Sequence, residues 1–350
     1  MDNIQFTEQV GVQGNLGIIN LNRPQVLNAI THTMTKQLAQ QLTIWARQDH
    51  IKAVIIRGQG TRAFCAGGDI RSLYDEELTR SEFFADEYRL NAAIADYPKP
   101  FIAWCNGVTM GGGVGLSIYA SHRIATEHYT FAMPETGIGF FPDVGASYFL
   151  NRCPGQTGIY LGLTGARLNA QQAANLGLID SIIPAHAETQ VLQVLCQTPL
   201  QTPLKPFIKQ LLNPFTVPIQ STELNLSRRH IDHCFAKTSI TRILTALAQQ
   251  QDPQCDAVIQ QLQTKSPTSL KVSLALLQGN KGLNLKECLQ IEYRLAQHFL
   301  QNHDFFEGVR AIIIDKDQQP HWQPTRLSAI SKKDIAAYFA VLSKDRDLFL

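Results

Sequence analysis

Two acids, Glu135 and Asp143, stand eight positions apart in residues 133–147, "MPETGIGFFPDVGAS". Around them lie glycine, proline, phenylalanine and other small or apolar residues, with no lysine or arginine in the stretch to pair with either. An unpaired carboxylate is costly to bury, so acids in such a setting are paired from elsewhere, protonated or employed. Employed, they would act as general base or nucleophile. Unemployed, they would be caps or turn formers. Two glycine clusters join them as candidates, "CAGGDI" at 65–70 and "MGGGVGL" at 110–116. Each follows an expected strand and leads towards a helix, where an outward-pointing backbone N–H can stabilise a developing oxyanion. Spacing alone leaves an oxyanion hole and a pair of tight turns equally open.

Other chemistries fit poorly. "GQGTRA" at 58–63 matches G-x-G-x-x-A after a strand, but "FCAGGD" follows where a dinucleotide site would open a helix, so a turn is expected. "GLSIY" is not a nucleophile elbow, since G-x-S-x-G is absent. Cys65 has no histidine close in sequence and reads as a small buried hydrophobe. The ten histidines are dispersed, without H-E-x-x-H, and "DKD" at 315–317 reads as a solvated turn, so no metal site is expected.

Composition narrows the class further. Net charge is +2 with no long basic run, which gives no reason to expect nucleic acid. No apolar run reaches the ~18 residues of a membrane span, and the start "MDNIQFTEQV" has no signal-peptide pattern. Seven cysteines without CxxC pairs suit buried thiols in a reducing compartment, so the expected location is cytoplasmic.

The elements that must hold these residues are partly readable. Apolar runs at 16–21, 53–58 and 101–105 predict strands, and 123–132 a further extended run. Helical periodicity covers 28–48 and 81–97, and 111–121 reads as a loop entering a helix. This alternation predicts an α/β fold with crossovers. Residues 201–220 are proline-spaced and read as an irregular connector. Beyond them, 238–250, 254–264, 268–278 and 285–302 are helical in period, with Ser266-Pro267 as a helix start and Asn284 with Glu287 as a capping box. The expected division is an α/β core over 1–200 and a mainly helical region over 201–350.

The glycine clusters and the acid stretch, with "NRPQVLNA" (22–29), "RAFCAGGDI" (62–70), "EYRLN" (87–91) and "GVTMGGGVGLS" (107–117), resemble the crotonase (enoyl-CoA hydratase/isomerase) superfamily. "SPTSLK" (266–271), "EYRLAQ" (292–297) and "HDFFEGVRAIIIDKD" (303–317) are similar to its branch that hydrolyses 3-hydroxyisobutyryl-CoA. The resemblance implies a β-β-α spiral core that binds acyl-CoA and polarises its thioester carbonyl. It places the oxyanion-hole N–H groups at Gly68 and Gly112, substrate binding at Glu87, Gly112, Glu135 and Asp143, and catalysis at Glu135 and Asp143. Arg62 stands where a basic residue meets the nucleotide end of CoA. Hydratases of the family carry a catalytic glutamate three residues after the middle glycine of the triple-glycine loop, and this chain has Gly115 there. The second acid stands instead at Asp143, where hydratases have glycine. The implied reaction is hydrolysis of a short 3-hydroxyacyl-CoA in valine catabolism, with coenzyme A as part of the substrate and no separate cofactor. A hydratase or isomerase, or a non-catalytic acyl-CoA-binding protein, is the alternative. Self-association is left open.

Overall fold

The computed structural model describes residues 2–75, 80–199, 201, 203–343 and 347–350. Its chain forms two compact units, each assembled from separate segments. The first takes Met1–Asp69, Arg89–Phe131 and Leu168–Thr222, and the second Ile70–Tyr88, Ala132–Arg167 and Glu223–Leu350. The sequence reading sets one boundary near residue 200, whereas the units are interleaved. Residues 70–88 and 132–167 leave the strands of the first unit and join the helices of the second.

The first unit is built on β-sheets. β1 (Ile4–Gln9), β2 (Asn15–Leu21), β3 (Ile51–Gly58), β4 (Ala63–Cys65), β5 (Phe101–Cys105), β6 (Val108–Met110), β7 (His122–Ala125), β8 (Thr130–Ala132), β9 (Leu168–Asn169) and β10 (Ser181–Ile182) follow in chain order. Six form one sheet in the order β1-β2-β3-β5-β7-β10, and four form a second in the order β4-β6-β8-β9. β1 is antiparallel to β2, while β2, β3, β5, β7 and β10 pair in parallel. All five residues of β5, "FIAWC", are buried, as expected of a parallel strand covered on both faces. Against this sheet pack Ile183, Val191, Leu195, Ile208 and Leu212 with Ile18, Ile55, Ile102 and Trp104.

The expected α/β alternation is present, with local differences. Pro24–Val26 makes a short 3-10 turn and Asn28 has a positive φ (56°), and the first helix runs only over His32–Arg47, capped by Thr31. The run 123–132 is broken into β7 and β8 by a turn at 126–129. Part of the expected connector is the helix Leu204–Leu212, while Thr202 lies outside the described residues. β1 was not legible because "IQFTEQ" is an edge strand with only one buried residue.

The second unit is mainly helical. Ser266 caps Pro267–Gly279 by accepting from the Ser269 N–H, and Asn284 with Glu287 closes the capping box of Leu285–Phe299. Its core is aromatic. Phe140 lies 5.3 Å from Phe84, 5.4 Å from Phe299 and 5.3 Å from Phe305, ring centre to ring centre.

Candidate active site

The two glycine clusters meet within the first unit. Ile30 pairs in parallel with Gly68, donating to the Gly67 carbonyl (2.9 Å) and accepting from the Asp69 N–H (2.8 Å). Alternate residues of an extended chain point their polar groups to opposite sides, so the Gly68 N–H is turned away from Ile30. Gly112 opens the helix Gly112–Ser117, and a first-turn N–H has no acceptor within its own helix. A Cβ on Gly67 would sit 3.7 Å from the Gly112 nitrogen, which puts the two loops side by side. Glycine is required twice here. Gly67 has φ +117°, and a Cβ on Gly113 would fall 2.1 Å from the Cys65 carbonyl oxygen. Arg62 is exposed in the turn before β4, its carbonyl accepting from the Val108 N–H at 3.1 Å.

Glu87, Glu135 and Asp143 come together in the second unit, all buried. Glu135 opens the 3-10 turn Glu135–Ile138 and its carbonyl accepts from the Phe140 N–H at 3.0 Å. Among the described residues its Oε2 has no hydrogen-bond partner. The spacer Phe140-Phe141 is apolar and packed. Both rings are buried, 4.5 Å apart, and Phe141 lies 5.3 Å from Phe299. Asp143 Oδ2 accepts from the Tyr88 hydroxyl at 2.9 Å. The chain then passes through Val144 and Gly145, both with positive φ (52° and 81°). Glu292 holds that bend, accepting from the Gly145 N–H (2.6 Å), the Ser147 N–H (2.9 Å) and the Ser147 hydroxyl (2.6 Å). Asn280 donates to the Ser147 Oγ at 2.9 Å.

Burial sets the electrostatics of this cluster. It pushes the Glu87 carboxyl well above its ordinary range, and the nearby Asp143 charge adds to the effect. Glu135 is raised for the same two reasons, with smaller additions from Glu87 and Glu292. Asp143 is pushed up to about 7 by burial, against the Tyr88 hydroxyl and its own backbone N–H, which favour the ionised form. Glu292 is pushed up to about 8, although its three donors oppose the shift. Acids raised towards neutrality can exchange protons at working pH, as acid–base catalysis requires.

Sequence reasoning missed Tyr88, Glu292 and Lys265. Tyr88 and Glu292 open or lie within stretches that carried the family resemblance, yet nothing in their spacing ties them to Asp143. Lys265 is the cation absent from the local stretch. Its Nζ lies 3.1 Å from where a Cβ on Gly137 would stand, and the Glu135 charge partly offsets the lowering of its pKa by burial. Among the described residues no group of three His, Cys, Asp or Glu side chains is disposed to hold a metal ion.

Comparison with known proteins places the chain in a family. The Enoyl-CoA hydratase/isomerase family model matches residues 16–339. The mitochondrial 3-hydroxyisobutyryl-CoA hydrolase of Rattus norvegicus is 40% identical over 347 residues, covering 96% of this chain and 89% of the relative. 3-Hydroxyisobutyryl-CoA hydrolase 1 of Arabidopsis thaliana is 37% identical over 353 residues, covering 97% and 92%. Among solved structures, a carnitinyl-CoA dehydratase from Mycobacterium thermoresistibile superposes with TM-score 0.89 at 32% identity, covering 98% of each chain. With the family model matched over residues 16–339 and these relatives covered along nearly their whole length, the chain has the crotonase fold and belongs to the enoyl-CoA hydratase/isomerase family.

Proposed function

We propose that this protein hydrolyses the thioester of a short 3-hydroxyacyl-CoA, foremost 3-hydroxyisobutyryl-CoA, to the free acid and CoA. The observation that carries the reading is the acid pair: Glu135 buried with one oxygen unpartnered, and Asp143 buried beneath a tyrosine donor, with Gly115 where a hydratase would need its other acid. In the reaction, the thioester oxygen accepts from the Gly68 and Gly112 N–H groups as negative charge grows on it. The Glu135 carboxylate either attacks the carbonyl carbon, giving an anhydride that water opens, or removes a proton from the attacking water. Both routes break the C–S bond, expel CoA as thiolate and need Glu135 ionised at the start. Asp143 accepts from the substrate's 3-hydroxyl, and Glu87 stands within reach of the Asp143 charge.

The structurally similar dehydratase makes hydration the competing chemistry. Here the alternative lacks a proton-transfer group at Gly115. Arg62, exposed before β4, is suited to the phosphates at the nucleotide end of CoA. No separate cofactor enters the proposal. The seven cysteines are all buried and none is in a disulfide, which supports a reducing compartment such as the cytoplasm. No described helix is long and apolar enough to cross a membrane. A panel of acyl-CoA thioesters followed by release of free thiol tests the reading. Turnover of 3-hydroxyacyl substrates supports it, and no thiol release from any of them contradicts it.

A further inference from the structure

Asp143 sits among negative neighbours. Glu87 faces it from the helix Arg80–Ala95, Glu135 from the turn Glu135–Ile138 and Glu292 from the helix Leu285–Phe299, each coupled to it by charge. Lys265 feels the Glu135 charge. On the Asp143 carboxylate itself the geometry places, among the described residues, one side-chain donor, the Tyr88 hydroxyl at 2.9 Å. Tyr88 is fully buried, and its ring meets Phe84 edge-on at 6.0 Å, so the hydroxyl has little freedom to turn elsewhere.

We propose that Tyr88 is a positioning residue: its hydroxyl orients Asp143 and holds it in the ionised form that accepts from the substrate. This rests on the hydrolase reading only in assigning Asp143 to the substrate. A phenol suits the task where a lysine or arginine would not. It donates to one carboxylate oxygen without neutralising the charge that must act on the ligand. Burial and the surrounding carboxylates raise the Tyr88 phenol well above its ordinary range, so it stays a donor throughout the working range. A hydrogen bond to the charged form of an acid favours that form, so removing the hydroxyl leaves Asp143 easier to protonate.

The experiment compares wild type with Tyr88→Phe from about pH 5 to about pH 9, reading thiol release from 3-hydroxyisobutyryl-CoA. In parallel, the Asp143 carboxyl carbon is titrated by 13C NMR, assigned with Asp143→Asn. The expected result is an acid limb and a carboxyl titration both moved up by about half a unit or more, with activity recovering at the alkaline end. Tyr88→3-fluorotyrosine, a stronger donor of nearly the same shape, should move both midpoints down. It also keeps the test decisive if the phenylalanine variant folds poorly. Midpoints that stay put while kcat falls would assign Tyr88 to packing and overturn the proposal. A wild type that releases no thiol would overturn the hydrolase reading instead, and the NMR titration would still decide the role of Tyr88.

Discussion

Glu135 keeps its shape but loses its chemistry when its carboxylate becomes an amide. Glu135→Gln should therefore fold normally and lower kcat on the order of 10²–10⁴-fold, measured as thiol release. Asp143→Asn tests two things. Turnover of 3-hydroxyisobutyryl-CoA should fall more than turnover of isobutyryl-CoA, because a site built to bind a hydroxyl loses most on the substrate that bears one. Its second effect is on stability. Asp143 is raised from 3.8 to about 7, so the folded chain keeps a proton that the unfolded chain gives up. That contribution is fully present below pH 3.8 and is lost as pH rises to about 7. Asp143→Asn should flatten the fall of Tm across that window, and an unchanged slope would deny the raised value. Both acids were legible in sequence, since an apolar flank without a local cation marks them. Tyr88 was not, because 55 positions separate it from Asp143 and only the fold joins them.

Loops and helices carry the next set of consequences. Gly113→Ala would push a methyl against the Cys65 carbonyl and force β4 away from the helix that Gly112 opens. The expected result is a loss of about 1–3 kcal/mol in stability and a marked drop in kcat as the Gly112 N–H moves. Gly279→Ala is the control, since nothing lies within 4 Å of its added methyl. Chemical denaturation and thiol release on both variants check the contrast. Glu292→Gln should cost about 1–3 kcal/mol, because the amide keeps one accepting oxygen and its NH2 must face either the Gly145 N–H or the Ser147 N–H. The buried strands and capped helices could be read from sequence, as apolar runs and the Ser266 and Asn284 caps are local signals. β1 and β4 could not. One is a polar edge strand, and the other is three residues long inside a glycine-rich stretch. The same shortness hid the pairing of Gly68 with Ile30, which turns the Gly68 N–H outward.

As a whole, the chain folds as two interleaved units, and a cut near residue 200 would separate neither cleanly. Glu292, Lys265 and Asn280 belong to the unit that holds the acids, and Glu292 and Asn280 both bond to Ser147 there. Glu292 opens a stretch that carries the family resemblance, and the sequence alone does not separate Glu135 and Asp143 from the side chains that hold them. The reaction itself divides hydrolysis from hydration. One measurement does so directly: purified protein is given 3-hydroxyisobutyryl-CoA and, separately, crotonyl-CoA, with free thiol and enoyl-thioester absorbance followed together. Hydrolysis predicts thiol released in step with 3-hydroxyisobutyrate and little loss of crotonyl-CoA absorbance, because Gly115 supplies no acid for the second proton transfer. Fast loss of enoyl absorbance without thiol release would contradict this and make the protein a hydratase in which Asp143 replaces the missing glutamate.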